Sequence, residues 1–131
     1  MASIRREVAL RVESEKVWAA ILDLGALSKL APGVVLEARV EGNVRLVTFA
    51  NGVQLRERVV DIDPVARRLV IASTGGRIEH LNSAMQIFVE GVHRCRMVWI
   101  VDFLPDDIRE NVRDIVDREI IAARTVLESG H

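Results

Sequence analysis

Apolar and polar residues alternate over most of residues 34–103, and this two-residue period predicts β-strands. Turn-forming residues divide the region into six strands. These turns are Glu41-Gly42-Asn43, Asn51-Gly52, Asp63-Pro64, Gly75-Gly76 and Gly91. Because the connections are short, we expect consecutive strands to be antiparallel. A further strand is predicted at Ile4–Glu13, where Val8, Leu10 and Val12 alternate with polar or small residues.

Helical periods occur at both ends of this strand region. After Ser14, an expected cap, an amphipathic helix with Trp18 on its apolar side is predicted to end at Gly25. A second short helix is expected at Ala26–Ala31. Beyond Pro105 a long helix is predicted to run to about Ser129, with Gly130 ending it. Its apolar stripe comprises Ile108, Val112, Ile115, Val116, Ile120, Ala123 and Leu127.

This order of elements predicts an α+β fold in which seven antiparallel strands curl around the C-terminal helix, with two short helices between strands 1 and 2. One helix cannot fill so wide a concave face. We therefore expect a ligand cavity between the sheet and the C-terminal helix. Trp18 is expected to pack in the core, because a Trp on the apolar side of a short helix usually does.

The Asn51-Gly52 dipeptide allows two hairpin registers. A two-residue turn would place Phe49 opposite Gln54, whereas a three-residue loop with Gly in the left-handed conformation would place Phe49 opposite Val53. We favour the second register because it pairs apolar residues with each other. It also places Arg45 opposite Glu57 on the inner face, where the two charges either satisfy each other or contact a ligand.

The inner face of the strands and of the long helix gives the candidate ligand-binding residues. They are Arg45, Val47, Phe49, Leu55, Glu57, Ile71, Ser73, Ser83, Met85, Met97, Trp99, Val112, Val116 and Ile120. Glu57 and His80 are the candidate catalytic residues, since either could act as an acid or a base. We expect no pair of neighbouring inward carboxylates, and the sequence contains no Tyr and no Ser/His/Asp pattern.

Composition and net charge limit the classes of binding partner that we expect. The 131 residues carry a formal net charge of -1, which gives no reason to expect nucleic acid binding. No apolar run is long enough to cross a bilayer, so we expect no integral membrane association. The single cysteine cannot form an internal disulfide, so we expect a reducing, cytoplasmic setting. No cluster of residues has the spacing of metal ligands, so we expect no metal ion and no cofactor.

Four segments together resemble the START/Bet v 1-like (SRPBCC) superfamily, in its polyketide cyclase/dehydrase and lipid-transport branch. They are "VESEKVWAAILDLGALSKLAPGV", "EGNVRLVTFANG", "LRERVVDIDPVARRLVIAS" and "CRMVWIVDFLP". The resemblance implies a helix-grip fold and a single domain over residues 1–131. Residues 44–76 also resemble the plant abscisic-acid receptors, in which a glutamate at the position of Glu57 faces the ligand. The receptors' gate-loop proline and ligand-binding lysine have no counterpart, so hormone sensing is not expected.

Three hypotheses of function follow. The first is binding of an apolar or amphipathic small molecule, lipid-like or polyketide/aromatic, in the cavity. The second is a cyclase/dehydratase-type enzyme that uses the same cavity, since the resemblance includes enzymes that need little more than cavity shape and one acid or base. The third is a co-chaperone-like module that binds a protein partner. The oligomeric state, including a homodimer, stays open.

Overall fold

Seven antiparallel strands form one sheet in residues 2–129, the part of the chain that the computed structural model describes. The elements are β1 (Ala2–Leu10), α1 (Ser14–Leu22), α2 (Leu27–Leu30), β2 (Val35–Glu41), β3 (Val44–Phe49), β4 (Gln54–Asp63), β5 (Arg68–Thr74), β6 (His80–Gly91), β7 (Arg94–Leu104) and α3 (Arg109–Ser129). Turns of 3₁₀ helix, Leu24–Ala26 and Asp106–Ile108, precede α2 and α3. The predicted α+β fold is confirmed.

The strand order β1-β7-β6-β5-β4-β3-β2 leaves β1 and β2 at opposite edges of the sheet. Strands β2 to β7 follow one another as hairpins, as the short turns predicted. The chain therefore has to travel from one edge to the other between β1 and β2, and α1 and α2 form this connection. The long helix α3 covers the inner face, and Arg6 Nε on β1 donates to Asp117 Oδ1 of α3 at 2.7 Å.

The helix boundaries differ from the prediction in small ways. Ser14 is the first residue of α1 and Glu13 occupies the cap position, so the prediction of Ser14 as the cap was wrong by one residue. The segment predicted as one short helix at Ala26–Ala31 is divided between a 3₁₀ turn and α2. Helix α3 reaches Ser129, and the predicted end at Gly130 lies outside the described residues.

The β3–β4 hairpin has the predicted three-residue loop. Phe49 N donates to Val53 O at 2.9 Å, and Gly52 has a φ of 89°, in the left-handed region where a side chain would be strained. The side chain of Asn51 accepts a hydrogen bond from Val53 N at 3.0 Å, which holds the loop. Arg45 therefore pairs with Glu57 in the register that the sequence predicted.

Three buried clusters surround the centre of the space between the sheet and α3. Trp18 lies in the first of them, with Val17 and Leu127, so its predicted core position is confirmed. The second includes Phe103 and Val116, and the third joins α2 to β2 and β3. Members of the second and third clusters, among them Val116 and Phe49, also border a space that stays open between the sheet and α3. Within residues 2–129, no helix has the length and apolar character that crossing a membrane requires.

Candidate ligand cavity

A cavity of about 300 Å³ lies between α3 and the inner face of β3 to β7. Its surface is mostly apolar. Eight of the predicted ligand-binding residues line it: Phe49, Leu55, Glu57, Ser73, Ser83, Trp99, Val112 and Val116. The exposed residues Asn51, Arg77 and Asn111 also border it, so the cavity opens between the β3–β4 loop, the β5–β6 loop and the first turns of α3. We call this space the main cavity.

A smaller cavity of about 40 Å³ lies between α3 and the helices α1 and α2. Four predicted residues that do not line the main cavity border this one: Arg45, Met85, Met97 and Ile120. Trp99 and Glu119 line both cavities. These two residues therefore form the boundary between a larger, open space and a smaller, inner one.

Three predicted residues border neither cavity. Val47 is buried in the cluster that joins β3 to α2, and Ile71 is buried in the cluster around Trp18. Both point inward, as the alternation predicts, but neighbouring side chains cover them. His80 is exposed at the start of β6, opposite Leu104. The structure therefore separates His80 from Glu57, the other candidate catalytic residue.

Arg45 and Glu57 form a largely buried ion pair across β3 and β4. Arg45 Nε donates a hydrogen bond to Glu57 Oε1 at 2.8 Å, Arg45 Nη2 lies 2.7 Å from the same oxygen, and the side chains are 7% and 14% exposed. Arg45 Nη1 donates to Leu24 O at 3.4 Å, and Ser73 Oγ donates weakly to Glu57 Oε2 at 3.5 Å. The guanidinium group is therefore committed to protein partners, while Glu57 also borders the main cavity.

Glu119 is a cavity residue that the sequence reasoning missed. It projects from α3 between the two cavities, lines both of them, and is half-buried. Burial, and to a smaller extent the nearby charge of Glu57, raise the pKa of Glu119 from 4.5 to about 8, while the charge of Arg45 opposes this change. The carboxyl group is therefore largely protonated at neutral pH and can donate a hydrogen bond.

A sequence signal for Glu119 did exist. It follows Val116 by three residues and Ile115 by four, which places it on the apolar stripe of α3. A charged residue at such a position faces the interior. The expectation that no pair of inward carboxylates exists was wrong, because Glu57 and Glu119 line the same main cavity from the sheet and from the helix.

Trp99 carries a second unusual polar group. Its indole Nε1 is buried and has no hydrogen-bond partner among residues 2–129. Buried donors without partners are uncommon in proteins, since each loses its hydrogen bonds to water. Trp99 lines both cavities from the sheet, whereas Glu119 lines them from α3, and the indole Nε1 itself is turned into the packed interior.

Gly75 fixes the backbone at the rim of the main cavity. Its φ is 128°, and a Cβ atom there would lie 2.6 Å from Gln54 O, a backbone atom of the neighbouring strand. We expect Gly75→Ala to lower the free energy of unfolding by about 2 kcal/mol, through this clash and the unfavourable dihedral angle. Urea unfolding measures the change. Gly33→Ala is the matched control, since it has a φ of 82° but open space around it, and equal losses in the two variants would contradict the clash.

The architecture by itself identifies the class of fold. A curved antiparallel sheet that holds a long C-terminal helix, with a cavity between them, is the helix-grip fold. The chain belongs to the polyketide cyclase/dehydrase and lipid transport family, whose model matches residues 1–126. This family is the one that the sequence resemblance indicated. No curated protein sequence matches the chain significantly.

Solved structures share the fold at low sequence identity. XoxI from Bacillus cereus is 16% identical with a TM-score of 0.86, over 97% of this chain and 96% of that one. Norcoclaurine synthase from Thalictrum flavum, in complex with dopamine and hydroxybenzaldehyde, is 14% identical with a TM-score of 0.78, over 99% and 88%. The Zhui aromatase/cyclase from Streptomyces is 16% identical with a TM-score of 0.76, over 98% and 92%. These similarities establish the fold.

Proposed function

We propose that this protein binds an apolar or amphipathic small molecule in the main cavity. The observation that carries the proposal is the open, mostly apolar space of about 300 Å³, with a few polar groups on its walls. Small-molecule sites are typically concave, apolar and oriented by a small number of polar groups. The volume lies at the lower end of the usual range, which favours a ligand of about two or three fused rings or a short acyl chain.

A fluorescent probe tests this proposal. Prodan is an uncharged naphthyl ketone whose emission shifts when it leaves water. We expect it to bind the wild-type protein, and Val112→Phe to weaken binding about tenfold or more by filling the main cavity. Ile121→Phe adds the same side chain to the exposed face of α3 and should leave binding unchanged.

Two results would contradict cavity binding. One is no binding of prodan at any concentration up to its solubility. The other is equal affinity of the wild-type protein and the Val112→Phe variant, provided that circular dichroism shows the variant to be folded. Native mass spectrometry of protein purified from its own host then identifies the natural ligand, since a ligand that fills the cavity should be retained in part during purification.

A cyclase/dehydratase-type activity is a second candidate, and the carboxyl groups of Glu57 and Glu119 favour it. Glu57 is paired with Arg45, whereas burial keeps Glu119 largely protonated at neutral pH. Two carboxyl groups in different environments are the usual means of placing an acid and a base in one site. Two of the structural neighbours are named as an aromatase/cyclase and a synthase. The partner-binding alternative stays a prediction.

Loss of turnover in both Glu57→Gln and Glu119→Gln, on a substrate identified from the co-purified ligand, would support this second candidate. Full turnover in both variants would exclude these carboxyl groups as the acid and the base. His80 remains a candidate only by its chemistry, because its exposed position at the start of β6 is outside both cavities.

A further inference from the structure

We propose that the Glu119 carboxyl group donates a hydrogen bond to a carbonyl or similar acceptor oxygen of the ligand, and that the cavity thereby selects uncharged ligands over carboxylates. This inference rests on the proposed ligand binding and specifies the chemistry of the ligand. It assigns to Glu119 the role of a specificity-determining residue at the boundary between the main and the smaller cavity.

The first support is that Glu119 is an inner polar group left available to a ligand. No group within residues 2–129 hydrogen-bonds its carboxyl, although it is packed against the interior from the middle of α3. Arg45 and Glu57, by contrast, satisfy each other through a hydrogen bond and a close ion-pair contact to one carboxylate oxygen. A buried polar group without a partner is costly, so a ligand atom that pairs with Glu119 gains affinity by removing that cost.

The second support is the balance of charge around Glu119. Arg45 from β3 and Glu57 from β4 face Glu119, and their opposite formal charges sum to zero. Asp23, after α1, borders the smaller cavity, and Arg77 at the mouth of the main cavity pairs with Asp107 Oδ2 at 3.0 Å. Among the described lining residues, Arg45 is committed to Glu57, and Arg77 lies at the exposed mouth, away from the inner boundary that Glu119 forms. A carboxylate placed beside Glu119 would therefore lose its water without gaining a cation.

The third support is the chemistry of the two groups that would pair. The protonated Glu119 carboxyl group is a donor that faces the cavity. A ketone, ester or quinone presents an acceptor oxygen to such a donor without carrying a charge.

Three naphthalene derivatives of similar size test the selection by displacing prodan: the methyl ketone, the carboxylate and the aminomethyl cation. At about pH 6.5 we expect the ketone to bind about tenfold more tightly than either ion. Glu119→Gln keeps a donor and should preserve this affinity. Glu119→Met has a similar length but no donor, and should weaken ketone binding about fivefold to tenfold.

The ionisation of Glu119 gives an independent test through the pH dependence of ketone binding. Because the pKa of Glu119 is about 8, the wild-type protein should lose affinity for the ketone as the pH rises from about 6.5 to about 9.5. Glu119→Gln should bind equally at both values. Circular dichroism at each pH checks that the protein remains folded.

Equal affinity for the ketone and the carboxylate, no effect of Glu119→Met, or the same pH dependence in Glu119→Gln would each overturn the inference. These outcomes differ from those expected if the proposed function itself fails. If it fails, prodan does not bind at any pH, or it binds with the same affinity to the wild-type protein and to Val112→Phe. A protein that binds all three derivatives equally well in the main cavity would retain the proposed function and lose only the selection by Glu119.

Discussion

Replacing Arg45 with methionine is expected to lower the free energy of unfolding by about 3 to 5 kcal/mol at neutral pH. Methionine keeps much of the side-chain volume but removes the hydrogen bond and the ion-pair contact to Glu57 Oε1. The carboxylate of Glu57 then remains largely buried without a counter-charge, next to the carboxyl group of Glu119. Removing one partner of such a pair costs more than the pair contributes, because the remaining charge regains only part of its water. Urea unfolding measures the loss.

The double variant Arg45→Met/Glu57→Gln separates the effect of the unpaired charge on stability from the effect of altered packing. It also removes the carboxylate, so we expect it to recover more than half of the stability that Arg45→Met loses. A loss of less than about 1 kcal/mol in the single variant, or a double variant that is as unstable, would show that this pair is not a buried charge pair.

Replacing Glu119 with glutamine is expected to stabilise the protein at neutral pH by about 2 to 3 kcal/mol. Folding raises the pKa of Glu119 from 4.5 to about 8, so the folded state holds a proton that the unfolded chain releases. The contribution of this group to stability is fully present below about pH 4.5 and falls as the pH rises towards 8. Glutamine does not ionise in this pH range, so the variant does not lose stability in this way.

The difference between wild type and Glu119→Gln therefore has a defined shape with pH. It should be constant below about pH 4, grow between about pH 4.5 and 8, and level off above. Chemical unfolding at a series of pH values measures it. Glu110→Gln, an exposed position on the same helix, is the control and should give a flat difference. A flat difference for Glu119→Gln as well would mean that its pKa is not raised by burial.

The fold followed from local features of the sequence that act independently of distant contacts. Alternation fixes which strand residues face inward. Asn51-Gly52 allows two loop types, and the matching of apolar residues across the hairpin selects one of them and hence the pairing of Arg45 with Glu57. Short turns then require antiparallel neighbours. Trp18 could be placed in the core because the helical period puts it beside other apolar residues.

The cavity was less predictable, because its limits depend on how far α3 lies from the sheet. Val47 and Ile71 have the inward parity that was predicted, yet core packing covers them. Glu119 was overlooked because a glutamate on a helix is usually solvated, although its position on the apolar stripe marked it as inward. The period gives the direction of a side chain, whereas the spacing between elements decides whether it meets space or another side chain.

The two walls of the main cavity differ in what holds them. Backbone hydrogen bonds between strands fix the wall formed by β3 to β7, and a change there risks the pairing of the sheet. The opposite wall is one face of α3, whose own backbone bonds do not depend on the residues that it presents. Substitutions at Val112, Ile115 and Glu119 can therefore change the shape and polarity of the main cavity while the strand ladder stays intact. This helix face is the natural starting point for engineering new binding specificities on this scaffold.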